Sequence, residues 1–328
     1  MQRTDVIIVG GGPAGSSCAR QLKQNGVDCL IIDQARFPRF KTCAGWITPQ
    51  VVKDVTLDPQ EYAAGGPDGP RSFTTFTATR LHIFGLSLKL PTTQHAIRRY
   101  EFDHWLLERS GARFAEHTVK SIEYRQGEYV VDGEYAAKYL VGAGGTHCPV
   151  YRTFFKPNEP HAGEELIVAQ EEEFLYPHQS TECWLWFFED HLPGYAWFVP
   201  KANGYVNVGI GGKAERIKTH GDNLKNHWNR FVSKLEDAGL VTGHAYKPSG
   251  HSYYLRQKPA TPRIENAFLV GDSAGLATLD LGEGIGPAIR SGMRAAEAIA
   301  RGADYRLDGI EKYSEWTGAF LSWAMNRA

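Results

Sequence analysis

Cysteine is scarce in this 328-residue chain. The five thiols, at 18, 29, 43, 148 and 183, are odd in number, scattered, and never spaced as C-x-x-C. That pattern offers neither a disulfide framework nor a zinc site. The twelve histidines contain no H-x-x-x-H or H-E-x-x-H pair, so metal hydrolysis has no ligand set. A formal net charge of −1 provides no field to attract nucleic acid. No apolar run approaches the roughly 18 residues that span a bilayer. The chain opens Met-Gln-Arg-Thr-Asp and runs directly into a strand, leaving no room for a signal peptide. A cytoplasmic protein is expected, with peripheral membrane contact at most.

Glycine, by contrast, is plentiful, at 35 residues. Residues 5–9, "DVIIV", read as a strand that stops at "GGGPAG"; a helical stretch closes at Asn25-Gly26, and "CLIID" ends at Asp33. Strand, glycine turn, helix and strand in about 30 residues begin a doubly wound sheet. "YLVGAGG" (139–145) and "AFLVGD" (267–272) have the all-apolar texture of parallel strands covered on both faces. Residues 166–212 differ, being rich in aromatic and β-branched residues cut by turns, and predict an antiparallel meander; 71–90 predict a strand pair of the same kind. The triad Glu171-Glu172-Glu173 reads as a solvated strand edge.

Gly10, Gly12 and Gly15 satisfy G-x-G-x-x-G between a strand and a helix, the context that makes the motif credible. Gly10 permits the turn, Gly12 admits a pyrophosphate to the backbone, and Gly15 lets helix and strand close together. Pro13 and Ala14 open the helix whose free N–H groups receive phosphate oxygens. Asp33 is placed to accept from ribose hydroxyls. No second complete fingerprint exists, so NAD(P)H has no domain of its own.

"AFLVGDSAG" (267–275) fits two machines. As G-x-S-x-G it is the nucleophile elbow of an α/β-hydrolase, whose triad histidine follows the serine in the chain. The last histidine here is His251, upstream of Ser273, so chain order rejects that reading. As G-D-S-A-G it presents Asp272 to a flavin's ribityl hydroxyls, with Gly271 making the turn. Gly282, Gly284 and Ile285 follow, a backbone able to approach a flat ring, and Pro287 suits the first turn of a helix. That helix's positive end favours an anionic reduced flavin. Its apolar stripe is read as Ile289, Met293, Ala296 and Ala300.

Assembled in this way, the chain resembles FAD-dependent oxidoreductases of the p-hydroxybenzoate-hydroxylase fold, and among them the geranylgeranyl reductase family. "GGGPAGSSCA" and "GDSAG…GEGI…AIRSG" are similar to the family's two FAD signatures, and "RRYEFDHWLLERSGA" to its R-x-x-F-D segment, which places Arg99 on FAD. "FPRFKTCAGWI" resembles the loop K-x-C-G-G, with Cys43 as the cysteine near the flavin and Ala44 in place of one glycine. "GYAWFVPK" resembles the motif Y-x-W-x-F-P, whose aromatics face substrate and ring. Gly144 stands where the superfamily has an aspartate.

The resemblance implies an α/β fold in which a Rossmann-like FAD-binding domain is interrupted by an antiparallel β-sheet substrate domain. The expected FAD-binding segments are 1–62, 94–158 and 259–328, with 63–93 and 159–258 forming the substrate domain. It further implies FAD contacts at Gln34, Lys41, Thr42, Ala44, Gly45 and Gly144, and reduction of carbon–carbon double bonds in an isoprenoid or other lipid-like substrate. The electron donor is expected to be NAD(P)H docking transiently or a reduced ferredoxin. Cys43, Tyr195 and Trp197 are the catalytic candidates. Trp46, Trp184, Trp186 and Phe198 are read with them as walls of an apolar pocket, although strand alternation sends half such residues to the opposite face. Two rivals remain: a monooxygenase or halogenase, with Lys41 as the loop lysine, and a flavoprotein that matures a partner protein. The C-terminal "YSEWTGAFLSWAMNRA" reads as an amphipathic helix carrying Trp316, Phe320 and Trp323.

Overall fold

The computed structural model describes residues 1–66, 69–83, 85–256 and 261–314. The expected C-terminal helix and the 258/259 domain boundary lie outside those residues. In chain order the first elements are β1 (Gln2–Val9), α1 (Pro13–Gln24), β2 (Cys29–Asp33), β3 (Trp46–Ile47), α2 (Pro49–Asp54), α3 (Pro59–Ala64), β4 (Phe73–Ile83) and β5 (Leu86–Ile97). There follow α4 (Arg99–Ser110), β6 (Arg113–Glu116), β7 (Ile122–Arg125), β8 (Glu128–Val131), β9 (Tyr135–Gly142), β10 (Leu166–Leu175), β11 (Glu182–Phe187), β12 (Gly194–Pro200) and β13 (Tyr205–Lys213). The last are α5 (Ala214–Thr219), α6 (Leu224–Asp237), β14 (Ser249–Tyr254), β15 (Arg263–Ile264), β16 (Ala267–Leu269) and α7 (Ile285–Arg301).

The described residues fall into two compact units, one of 1–39, 102–162 and 253–314, the other of 40–101 and 163–252. The first unit is built on a sheet of order β15-β16-β9-β1-β2-β6, with the β7–β8 hairpin added to β9. Its central pairings, β2–β1, β1–β9 and β9–β16, are parallel. Residues 6–8 of β1 are fully buried, as the unbroken apolar run demands of a strand covered on both faces. Strand order reverses at β1, between β2 and β9. In an open α/β sheet that reversal opens a crevice beyond the carboxyl ends of the strands. Helices α1 and α7 pack against each other, and α7 buries Ala288, Ile289, Gly292, Ala295, Ala296 and Ile299. The buried stripe thus sits one step from the predicted one, leaving Met293 and Ala300 half-buried.

The second unit is a sheet of order β14-β10-β13-β12-β11-β4-β5-β3. Strands β11, β12 and β13 form the expected meander, but β10 joins beyond β13, and β11 runs parallel to β4. One face buries Trp186, Ala196, Phe198, Val208 and Ile210 against Trp228, Phe231 and Leu235 of α6. Residues 40–62 belong to this unit instead of the first because β3 pairs with β5; 94–97 follow because β5 runs unbroken to Ile97. Among the described residues no helix is long and apolar enough to cross a membrane.

Candidate active site

The glycine turns converge inside the first unit. Gly10 leaves β1 with φ +112°, and a methyl group there would lie 2.3 Å from Ala143 O, at the end of β9. Only a glycine lets the first and second turns approach so closely. The third turn closes on both: Ser273 Oγ donates to Gly145 O at 3.1 Å, and Gly271 N donates to Ser291 Oγ at 2.9 Å. A methyl group at Gly271 would meet the Cβ atoms of Ala14 and Ala288, both at 3.2 Å. The Asp272 carboxylate lies 3.1 Å from where a Gly284 Cβ would stand, and so joins the third turn to the fourth. Ser273 is fully buried and engaged with backbone, which disposes of it as a nucleophile. His161 braces this corner, stacked on Tyr151 at 4.2 Å with Nε2 3.3 Å from Ser273 O; burial holds its pKa below the ordinary value.

The electrostatics of this crevice suit a diphosphate. Helix α1 starts at Pro13 with Gly12 as N-cap, and α7 starts at Ile285 with Gly284; neither has a side-chain cap or an acidic residue in its first turn. Both positive helix ends therefore keep backbone N–H groups that no side chain caps, although the Asp272 and Glu283 carboxylates stand beside the α7 end. Asp33 accepts from Gly11 N at 2.8 Å and from Ala35 N at 2.9 Å, so it closes the first turn while each oxygen keeps a lone pair for a ribose hydroxyl. Gln34 follows, exposed. Arg39 completes the cradle. Its Nη2 lies 3.2 Å from the buried Asp103 and 3.4 Å from where a Gly12 Cβ would stand, while Nη1 is buried with no hydrogen-bond partner among the described residues. A buried guanidinium donor without an acceptor is costly, and a phosphate oxygen would satisfy it. The residues of this unit fit FAD, whose pyrophosphate the helix ends and Arg39 would hold, with Asp33 available to its ribose and Asp272 to its ribityl chain.

Gly144 and Gly282 lie in the first unit, whereas Lys41, Thr42, Cys43, Ala44, Gly45, Arg99, Tyr195 and Trp197 lie in the second, where residues 41–45 form a segment fastened to the sheet. Lys41 Nζ lies 2.8 Å from His251 Nε2, and Thr42 Oγ1 lies 3.2 Å from Ser249 Oγ. Cys43 N donates to Glu171 Oε1, and Gly45 N donates to Cys43 Sγ at 3.4 Å. Beyond the half-buried Ala44, Gly45 O accepts from Ile97 N at 2.8 Å. Arg99 is buried at the start of α4. Tyr195 and Trp197 share the sheet face opposite α6, with Phe187 and Leu185 as their register partners on β11. The Trp197 indole lies across Gly209 and donates from Nε1 to Asn207 Oδ1 at 2.7 Å. Trp186 and Phe198 point the other way, into the α6 core, so they wall no pocket on this face; Trp184, paired with Phe198, goes with them.

The acidic triad is the clearest correction. Glu171 and Glu173 are not solvated: β10 is an interior strand, and alternation turns both onto the face of Trp197. Glu171 is 2 % exposed, and burial pushes its carboxyl up to about 7, although the Lys201 charge, the Cys43 N–H and the Asn207 side chain oppose the shift. Glu173 is also buried, which alone would raise it. Lys201 Nζ at 2.6 Å and Arg98 Nε at 2.7 Å overcome that and hold it below the usual range. Arg39, Glu171, Asn207 and Lys201 had escaped the sequence reading. A period-two reading of residues 167–173 would have turned Glu171 and Glu173 inward with Ile167 and Ala169, where a charge needs a partner. Nothing local marks Arg39.

A family model described as an FAD binding domain matches residues 3–52. An uncharacterised protein of Methanosarcina barkeri is 30% identical over 313 residues, covering 92% of this chain and 75% of the relative. Digeranylgeranylglycerophospholipid reductase 3 of Methanosphaera stadtmanae is 29% identical over 345 residues, covering 98% and 84%. A geranylgeranyl bacteriochlorophyll reductase-like structure from Thermoplasma acidophilum superposes with a TM-score of 0.77 at 21% identity, covering 100% of this chain and 86% of that one. The uncapped helix ends, the orphaned Arg39 donor and the converging glycine turns agree with these likenesses. The chain belongs to the geranylgeranyl reductase family of FAD-dependent oxidoreductases.

Proposed function

We propose that this oxidoreductase reduces carbon–carbon double bonds of an isoprenoid or other lipid-like substrate. One observation carries the reading: the Cys43 segment is bound, through Glu171, to the sheet face that holds Trp197 and Tyr195. The backbone that carries the thiol and the aromatic wall are then tied to one sheet face. Reduced FAD, when bound, supplies the hydride. The chain's own tasks are to exclude water, to orient an apolar chain and to hold a proton for the second carbon. Tyr195 and Trp197 give a flat, polarisable wall for the first two. Cys43 Sγ is the candidate for the third, because a thiol ionises closer to neutrality than a hydroxyl. The donor is proposed to be NAD(P)H docking transiently or a reduced ferredoxin.

The test is anaerobic incubation of the reduced holoenzyme with geranylgeranyl lipids, read by mass spectrometry as one added H2 per double bond. Cys43→Ala should retain FAD yet reduce substrate at least about tenfold more slowly. Incorporation of oxygen from O2 into the product would assign the protein to the monooxygenases instead. Unchanged turnover in Cys43→Ala would dismiss the thiol as a packing residue.

A further inference from the structure

The second unit contains a buried acid that neither the cofactor cradle nor the aromatic wall uses. Glu171 lies in register with Gly209, and Gly209 with Trp197, so the three are aligned across adjacent strands. The indole above Gly209 reaches toward the Glu171 side chain, whose Cβ is 2.8 Å from the position of a Gly209 Cβ. From within this packing Glu171 Oε1 accepts the backbone N–H of Cys43. Among the described residues the groups around the carboxyl are few. Lys201 and Glu173 act on it through charge, and Asn207 through its side chain. Lys201 is itself engaged by Glu173 Oε2 and by Ile97 O at 2.9 Å, and Glu173 also holds Arg98. On the β14 side stand Ser249, whose Oγ is 3.5 Å from Glu171 O, and the Lys41–His251 pair.

We propose that Glu171 is a positioning residue whose own protonation sets how tightly the Cys43 segment is held against the second sheet. Ionised, it accepts a charge-assisted hydrogen bond from Cys43 N and closes the segment; protonated, it accepts a weaker one and lets the thiol open to solvent. The segment's other ties are neutral hydrogen bonds at Thr42 and Gly45 and the contact of Lys41 with the His251 ring. The carboxyl is the tie made to Cys43 itself, and it changes with pH about neutrality, a range supported by its displaced titration. The functional meaning rests on the reading that Cys43 serves the reduction, since a segment that loosens and closes would govern access to its thiol.

All five cysteines are free, and four are buried, so iodoacetamide acting on the folded holoenzyme reports on Cys43. The logarithm of its alkylation rate should climb with pH as thiolate forms. In the wild type the climb should flatten near pH 7, where closure of the segment slows attack by about threefold to tenfold. Glu171→Gln keeps the acceptor oxygen and loses the titration, so its profile should rise without a break. A wild-type profile lacking the break, or a break that persists in Glu171→Gln, overturns the proposal. If Glu171→Gln does not fold, Glu171→Asp decides: too short to reach Cys43 N, it should alkylate faster above pH 7 and lose the flattening, and an unaltered profile refutes the coupling. None of these readouts needs turnover. A coupled profile beside an unaffected Cys43→Ala turnover would uphold the coupling and defeat the catalytic reading, whereas the reverse pair would do the opposite.

Discussion

Gly292 sits in the middle of α7, and in an exposed helix its replacement by alanine would be stabilising. Here the neighbour decides otherwise. A methyl group at Gly292 would lie 2.2 Å from Ala14 O, 3.1 Å from Ala14 C and 3.2 Å from Cys18 N. All three are backbone atoms of α1, with no side chain to swing aside. Ordinary contact begins near 3.4 Å, so α1 and α7 must part by about 1.2 Å. Overpacking of this kind costs about 1–3 kcal/mol, and a rigid backbone neighbour puts it toward the upper end. Helix propensity returns about 1 kcal/mol. The expected net loss is therefore about 1–2 kcal/mol. The displaced atom lies in the first turn of α1, two residues from Gly12, so the phosphate cradle moves with it. Gly292→Ala should melt a few degrees lower in both apo and holo forms and bind FAD more weakly, as read by calorimetry and by flavin fluorescence titration. A melting temperature at or above the wild type, with unchanged FAD affinity, would refute the close α1–α7 contact.

Arg39→Lys preserves the charge beside Asp103 but not the second guanidinium arm. FAD affinity should fall by about tenfold, the worth of one charge-assisted hydrogen bond, and an unchanged Kd would remove Arg39 from the phosphate site. Glu171 also makes a claim on stability. Its carboxyl titrates higher folded than unfolded, so the folded state binds the extra proton, and stability is lost as pH rises from about 4.5 to about 7. Glu171→Gln should therefore gain on the wild type by roughly 2–3 kcal/mol between pH 5 and pH 8 in denaturant titrations, independent of any constant cost of the amide. A difference that stays flat across that range would mean the carboxyl is not desolvated.

Local signals made the flavin unit legible. A glycine turn between an apolar strand and a helix has few conformational solutions, and Gly10, Asp33 and Gly271 announce theirs in sequence. The chain order of Ser273 and His251 settled a choice of chemistry without coordinates. Residues 40–62 were harder to assign. They carry helix and loop signals that suit either unit, and a two-residue strand, β3, decides the matter by pairing with a partner about 50 residues away.

The sequence by itself determined what depends on neighbours along the chain: the strand–turn–helix cradle, the uncapped α1 and α7 N-termini, and the alternation that separates Trp197 from Phe198. Tertiary structure alone decided which surfaces those elements meet. It brought Arg39 beside Gly12, put Glu171 beneath Trp197 and against Cys43, and spent Ser273 on Gly145. The physical reason is that a side chain's charge, burial and hydrogen bonds are set by groups distant in sequence, and periodicity gives a residue's face but not its partner.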